Sequence, residues 1–324
     1  MTMRAVVRGV GHYLPDRVVP NGWFEDKAET TDEWIRTRTG SERRHFAADG
    51  QTTSDMAAAA GRNALADAGI AAADLDAIIL ATSTADLTFP SAATMVQAKL
   101  GLKTGFAFDV QAVCAGFVFA LANANALILS GQARRVMVIG AETFSRILDF
   151  TDRGTCVLFG DGAGAVVLEG ASATGTSADR GILATDLHSD GSYRELLYVD
   201  GGVSTTGTSG HLKMQGNAVF RHAVEKLADT AHAALAKAML TPAEVDWIVP
   251  HQANLRIITA TASRMDVPME RVVVTVQDHG NTSAASIPLA LSVGKARGQI
   301  KTGDLIVTEA IGGGLAWGSV VLRW

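Results

Sequence analysis

The chain has 324 residues, long enough for two domain-sized halves that each bury a core. Hydrophobic residues make up 48% and charged residues 19%, which excludes a disordered chain and points to a large interior. A net charge of −5 gives no general basis for binding nucleic acid, and no stretch approaches the roughly 18 uninterrupted apolar residues of a membrane span, so neither is expected as a partner.

The opening MTMRAVVRGVGHYLP runs directly into a short strand pattern over residues 3 to 9 instead of a signal peptide, so the expected setting is cytoplasmic. In that setting Cys114 and Cys156 are not expected to form a disulfide, and with no Cys or His cluster at ligand spacing no metal or other cofactor is expected. In TDEWIRTRTGSERRH (31 to 45), Asp32 is placed to cap a short helix carrying Trp34 and Arg38 on neighbouring turns. A tryptophan beside arginines suits a flat anionic ligand such as a nucleotide; the alternative is a solvated amphipathic helix.

Residues 54 to 69 predict a helix and AIILAT (77 to 82) a buried strand, the alternation of an α/β protein. The loop STADLTFPS presents Phe89 at the end of that strand, and a second helix follows over 92 to 100. FAFDVQAVCAGFV (106 to 118) then reads as strand, tight turn and helix, with Cys114 at the helix entrance. Unpaired N–H groups and the positive end of the helix macrodipole would favour a thiolate there, making Cys114 a candidate nucleophile; a small buried apolar cysteine is the alternative. RRVMVIGAE (134 to 142) predicts a buried strand, and CVLFGDGAGAVVLE (156 to 169) a hairpin turning through Gly160, Asp161 and Gly162, with Cys156 packed inside it.

The second half opens with a strand in GILATDLHSD, followed by a loop rich in Gly, Ser and Thr from Gly201 to Gly210. A helix over 216 to 239 precedes TPAEVDWIVPHQAN, read as a strand ending at His251. LADAGIAAADLDAIILAT and LAKAMLTPAEVDWIVPHQ align with Asp76 and Asp246 at equivalent places, 170 residues apart. A duplicated α/β unit with halves related by a pseudo-dyad follows, divided at 1–172 and 173–324. Such a dyad brings equivalent strand ends together, where ligands sit in sheets of this kind.

Cys114, His251 in PHQANLRI and Asn281 in HGNTSAASIP fall at such strand ends. Their order also fits a papain-like hydrolase, but the sequence signature around that family's cysteine is missing. Carbon–carbon bond formation on thioesters suits the three better. A thiolate exchanges with an acyl thioester and keeps the acyl group activated, while neutral His and Asn donors stabilise an enolate without burying a fixed charge. Gly312, Gly313 and Gly314 let the main chain approach closely enough to serve a tetrahedral intermediate.

VCAGF, TDRGTCVLFGDGAGAVVL, PHQANLRI, HGNTSAASIP and GGGLAWGS together resemble the β-ketoacyl-acyl carrier protein synthase III family, in the same order along the whole chain. The resemblance implies a thiolase fold layered αβαβα. It also implies an acyltransferase that condenses a short acyl-CoA with malonyl-acyl carrier protein, giving β-ketoacyl-carrier protein, CoA and CO2. It makes Cys114 the nucleophile, His251 and Asn281 the donors for decarboxylation, and the amides of Cys114 and Gly313 the oxyanion hole. It implies CoA contacts from Trp34, Arg38, Arg153, Asn217 and Asn254, and a homodimer in which Phe89 enters the partner's acyl pocket. Ile311 stands where many members have Phe, beside that pocket. Arg221, Arg256 and Arg264 are expected to share a face that attracts the acidic carrier protein. Two further readings are a related condensing enzyme of secondary metabolism with another acceptor, and a non-catalytic partner subunit.

Overall fold

In a computed structural model describing residues 2–324, the first half contains seven strands and four helices. In chain order they are β1 (Thr2–Tyr13), β2 (Arg17–Pro20), α1 (Asp32–Thr39), β3 (Arg43–Phe46), α2 (Thr53–Ala68), β4 (Ala77–Ala81), α3 (Ala92–Lys99), β5 (Phe106–Val110), α4 (Gly116–Leu129), β6 (Arg135–Glu142) and β7 (Gly162–Ala173). The second half contains β8 (Gly181–Ser189), β9 (Leu197–Val199), β10 (Leu212–Met214), α5 (Gly216–Lys237), β11 (Trp247–Ile248), α6 (Leu255–Arg264), α7 (Val276–His279), α8 (Ser286–Ala296), β12 (Leu305–Gly312) and β13 (Ala316–Arg323).

The first sheet has the order β1-β7-β6-β4-β5, with β4 parallel to β5 and β6 and the β7 contacts antiparallel. The second, starting from its outer strand, runs β8-β13-β12-β11 with the same pattern of directions. A parallel bridge from Ile248 to Val272 occupies the place of β5 in the first sheet.

Strands covered on both faces by helices are apolar at every position, and all five residues of β4 are buried. Ile78 and Leu80 pack with Met56, Ala60 and Val96 of the outer helices α2 and α3. Ile79 packs the other way, in a core joining Phe117 and Leu121 of α4 to Ile287 and Leu291 of α8 and on to Ile306 and Val320 of the second sheet. α5 and α6 close the far side through Ala231, Leu235 and Ile258 against Val307. The result is five layers, helix–sheet–helix–sheet–helix, with α4 and α8 in the middle. That position explains why α4 has no consistently polar face, and replacing its buried Leu121 by Ala would cost about 2–5 kcal/mol.

Three local expectations fail. The cap of α1 is Thr31, whose side chain accepts from the Trp34 amide; Asp32 is the first helical residue. The hairpin over 156 to 169 is absent. Residues 151–158 form turns, with the Asp152 carbonyl accepting from the Thr155 and Cys156 amides, and only residues from Gly162 onward enter β7. What competes with the hairpin is a distant pairing: the Gly160 amide donates to the Asn281 carbonyl at 2.9 Å, and the Asn281 amide to the Leu158 carbonyl at 2.9 Å. β11 is also shorter than expected, so His251 lies beyond its end, held by donation of its amide to the Glu309 carbonyl at 2.9 Å.

Candidate active site

Cys114 stands in a single 3-10 turn, Val113–Ala115, between β5 and the first residue of α4. Val113 carries the strain of this corner with φ at 51°, in the left-handed region. The end of β12 lies directly against the turn, because a Cβ on Gly312 would come within 2.6 Å of the Cys114 amide nitrogen. Cys114 is 4% exposed.

The reading of a helix-activated thiolate needs correction. Burial pushes the Cys114 thiol from 9.0 up to about 12, with a hydrogen bond from Ser283 pulling down and the charge of Glu142 pushing up. That rise corresponds to about 4 kcal/mol, whereas a helix terminus supplies roughly 0.3–2 kcal/mol. Desolvation therefore wins, and the resting group is a thiol.

His251 is buried and held on one side. Its Nδ1 lies 2.7 Å from Ser286 Oγ, at the first residue of α8, and that same oxygen accepts the Gln252 amide at 3.3 Å. Where the serine proton is donated to Nδ1, the imidazole proton sits on Nε2, the tautomer that presents a donor on the ring's other nitrogen. Burial lowers the His251 pKa to about 3, so the ring is neutral. Gln252 anchors the turn, donating to the Pro250 and Val273 carbonyls and accepting from the Thr275 and Val276 amides. Asn281 is fixed comparably: its Oδ1 accepts the Ser283 amide at 2.8 Å, which leaves Nδ2 as the remaining donor.

These three side chains line one cavity of about 230 Å3, with Trp34, Arg38, Arg153, Asn217, Asn254, Arg256 and Ile311 farther along its wall. Arg38 and Arg153 lie 5.6 and 5.1 Å from the Trp34 ring centre, and Arg153 also donates to the Glu29 carbonyl. Asn254 Oδ1 caps α6 by accepting from the Ile257 amide. A second cavity, of about 980 Å3, lies on the other side of the nucleophile turn and is lined by Ala112, Val113, Phe144, Leu197, Gly313 and Ala316, among others.

Phe89 lines neither cavity; it is 82% exposed on its loop. Ile311 faces the narrow cavity together with Cys114 and packs among Ala223, Leu227 and Ile257. Of the three arginines expected to share a face, Arg256 lines the narrow cavity and lies over the Phe220 ring at 5.4 Å. Arg264 pairs with Asp229 at 3.7 Å, and Arg221 is exposed on α5.

Several contributors escaped the sequence reading. Glu142 is fully buried at the end of β6, and Ser283 and Ser286 hold the site from inside the HGNTSAASIP segment. Arg44 is fully buried and binds Asn21 Oδ1 and the Val157 carbonyl, both at 2.7 Å, bracing the turn before Phe159 and Asn281. A carboxylate directly after the apolar run 136–141, as Glu142 is, was the available signal.

Two family models match the chain. One is 3-oxoacyl-[acyl-carrier-protein] synthase III over residues 108–191, and the other is its C-terminal counterpart over 235–324. The chain is 80% identical to a beta-ketoacyl-[acyl-carrier-protein] synthase III of Rhodobacter capsulatus, and 76% identical to one of Ruegeria pomeroyi, covering all of both chains in each case. A crystal structure of 3-oxoacyl-[acyl-carrier-protein] synthase III from Aquifex aeolicus superposes with a TM-score of 0.93 at 45% identity, covering 99% of this chain and 100% of that one. The priming β-ketosynthase of the R1128 polyketide pathway superposes with a TM-score of 0.92 at 35% identity, covering 100% of this chain and 97% of that one. With the thiolase-like layering and this full-length identity together, the chain belongs to the β-ketoacyl-acyl carrier protein synthase III family.

Proposed function

We propose that the chain performs the initiating condensation of fatty acid synthesis. An acyl-CoA primer acylates Cys114 and releases CoA; malonyl-acyl carrier protein then loses CO2, and its enolate attacks the acyl-cysteine to give β-ketoacyl-carrier protein. The observation that carries the assignment of roles is the convergence of three separate turns on one narrow cavity, where Cys114 meets two neutral side chains each tied to protein on one side. His251 Nε2–H and Asn281 Nδ2–H are the donors for the enolate oxygen, and the amides of Cys114 and Gly313 form the oxyanion hole.

Trp34, Arg38, Arg153, Asn217 and Asn254 hold CoA along the cavity wall, where a base would insert beside the Trp34 ring. The wide cavity receives the primer, and Ile311 trims the space beside Cys114. The carrier protein docks near Arg221, Arg256 and Arg264. No metal or other cofactor enters this chemistry. The functional halves are 1–172, carrying Cys114, and 173–324, carrying His251 and Asn281. The working assembly is a cytoplasmic homodimer. In support, β5 is a sheet edge with Phe106 40% exposed, and the neighbouring loop exposes Leu87 and Phe89, a surface that a second copy would cover.

The reading is tested by intact mass and by decarboxylation. Cys114→Ser should take up no acyl group from acyl-CoA, while His251→Ala and Asn281→Ala should still be acylated but lose malonyl decarboxylation by about 100-fold or more. Acyl uptake by Cys114→Ser, or failure of the other two only at acylation, would reverse the roles. Secondary metabolism remains the second reading because of the 35% identical polyketide ketosynthase, but the relatives at 73–80% identity favour the fatty acid reaction.

A further inference from the structure

Glu142 closes β6 as a fully buried carboxyl, and among the described residues no Lys or Arg is bonded to it. Three consecutive residues of the loop after β4 converge on its Oε2: Thr84 Oγ1 donates at 2.6 Å, the Ser83 amide at 3.1 Å and Thr82 Oγ1 at 3.3 Å. On the other oxygen, Oε1, Ser283 Oγ donates at 3.1 Å from the corner that opens α8. The two threonine hydroxyls are each used twice. Thr84 Oγ1 also accepts the Thr143 amide at 2.9 Å, and Thr82 Oγ1 accepts the Thr84 amide at 3.1 Å. With an acceptor-only carboxylate on one side and an amide donor on the other, each hydroxyl has a single way to point.

The segment gathered in this way is a wall. Ser83, Thr84, Ala85 and Asp86 line the wide cavity beside the nucleophile turn, whereas Glu142 and Thr82 line neither cavity. The far end of the wall is fastened to α2, where Ser54 donates through its amide and hydroxyl to the Asp86 carboxyl at 2.9 and 2.6 Å. The near end leaves the sheet after Ala81, and Glu142 is what collects its side chains. We propose that Glu142 is a specificity-determining positioning residue: by gathering Thr82, Ser83 and Thr84 it fixes the wall of the wide cavity and so sets which acyl chain the primer site accepts. The inference rests on the wide cavity receiving the primer.

A carboxylate suits this task because all four groups that face it donate. It offers about four lone-pair sites and no proton, and hydrogen bonds to an ionised acceptor are roughly twice as strong as neutral ones. Burial raises the Glu142 carboxyl to about 7 against the pull of these donors, so on the alkaline side of neutrality it is ionised and accepts from all of them. A charge buried without a cation is tolerable only while its donors stay in place, so the carboxylate and the loop order each other. The amide of a glutamine has the same shape but one acceptor oxygen, and its NH2 would meet either the Ser83 N–H, which cannot accept, or the Ser283 hydroxyl. The wall would then relax outward. Room for one more methylene in an apolar site changes discrimination by about 10- to 200-fold.

The test is the ratio of kcat/KM for acylation of Cys114 by acetyl-CoA to that by hexanoyl-CoA, followed by intact mass at about pH 8, where Glu142 is ionised. In Glu142→Gln this ratio should fall about 10-fold, because the loosened wall admits the longer chain. A merely structural defect would slow both primers together and leave the ratio unchanged. Thr82→Val keeps the shape of a residue outside the cavity and removes its hydroxyl, and should shift the ratio the same way by about threefold. Thr82→Ser keeps the hydroxyl and should keep the native ratio. Should Glu142→Gln fail to fold, the two variants at 82 decide alone. Leu212→Ala, which shortens a side chain lining the wide cavity directly, should also shift the ratio. A native ratio in Glu142→Gln and Thr82→Val beside a shifted one in Leu212→Ala overturns the role of Glu142 and leaves the primer site intact. So does an equal shift in Thr82→Ser and Thr82→Val, which would trace the effect to packing at 82. A native ratio in Leu212→Ala as well would overturn both the role and the primer site.

Discussion

Removing the Ser286 hydroxyl tests how much of the decarboxylation step depends on holding one proton on one nitrogen. The hydroxyl spans 2.7 Å to His251 Nδ1 and accepts the Gln252 amide at 3.3 Å, so it fixes the ring's orientation and can donate to Nδ1 when the ring proton is on Nε2. In Ser286→Ala the buried Nδ1 loses this partner, and the imidazole is free to change tautomer or turn. A net intramolecular hydrogen bond is worth about 0.5–1.5 kcal/mol, so the productive arrangement should become roughly 3- to 10-fold rarer. Complete loss of an oxyanion donor costs about 10²–10³ in rate, which sets the ceiling. Malonyl decarboxylation should therefore fall about 10-fold while acylation of Cys114 by acyl-CoA stays within about threefold. The two half-reactions are separated by measuring CO2 release with malonyl-carrier protein and acyl uptake by intact mass. Equal losses in both would mean that Ser286 supports the whole turn before α8, and a loss approaching that of His251→Ala would mean that the ring had left the site.

Two further outcomes follow from charges outside this step. Burial holds the Glu309 carboxyl well above its ordinary 4.5, so the stability it contributes is fully present below about 4.5 and is lost as pH rises through the folded value. The unfolding free energy of the native protein, compared with Glu309→Gln in denaturant titrations, should fall by up to about 1.4 kcal/mol per pH unit over that window, and a flat difference would refute it. For the carrier protein, Arg256→Glu with Arg264→Glu should raise KM for malonyl-carrier protein about 10-fold or more and make it less sensitive to salt, with acylation by a small acyl-CoA changing much less. Equal losses with both substrates would place the carrier elsewhere.

The layered α/β architecture was legible because its signals are periodic: buried strands such as 77 to 81 are apolar at every position, and the 170-residue offset of Asp76 and Asp246 repeats the same unit. The two sheets repeat one strand order for the same reason. Cys114, His251 and Asn281 were legible as residue types, and the structure brings them to one cavity, although Asn281 follows α7 and not a strand. What failed were inferences that consulted only neighbours in sequence. Gly160, Asp161 and Gly162 look like a hairpin turn by composition, yet Gly160 serves a contact with Asn281, and a Cβ there would lie 2.7 Å from the His279 carbonyl oxygen.

The state of the Cys114 thiol failed in the same way, and its failure bears on mechanism. A helix entrance is visible in sequence, whereas the desolvation that outweighs it comes from walls contributed by distant turns, those of Ser283, His251 and Gly312 among them. A resting thiol buried this deeply is protected from casual alkylation and oxidation, since both act on the thiolate. The turn that carries Ser283 holds the side-chain carbonyl of Asn281 through the Ser283 amide, so the orientation of Asn281 is set by the corner that opens α8.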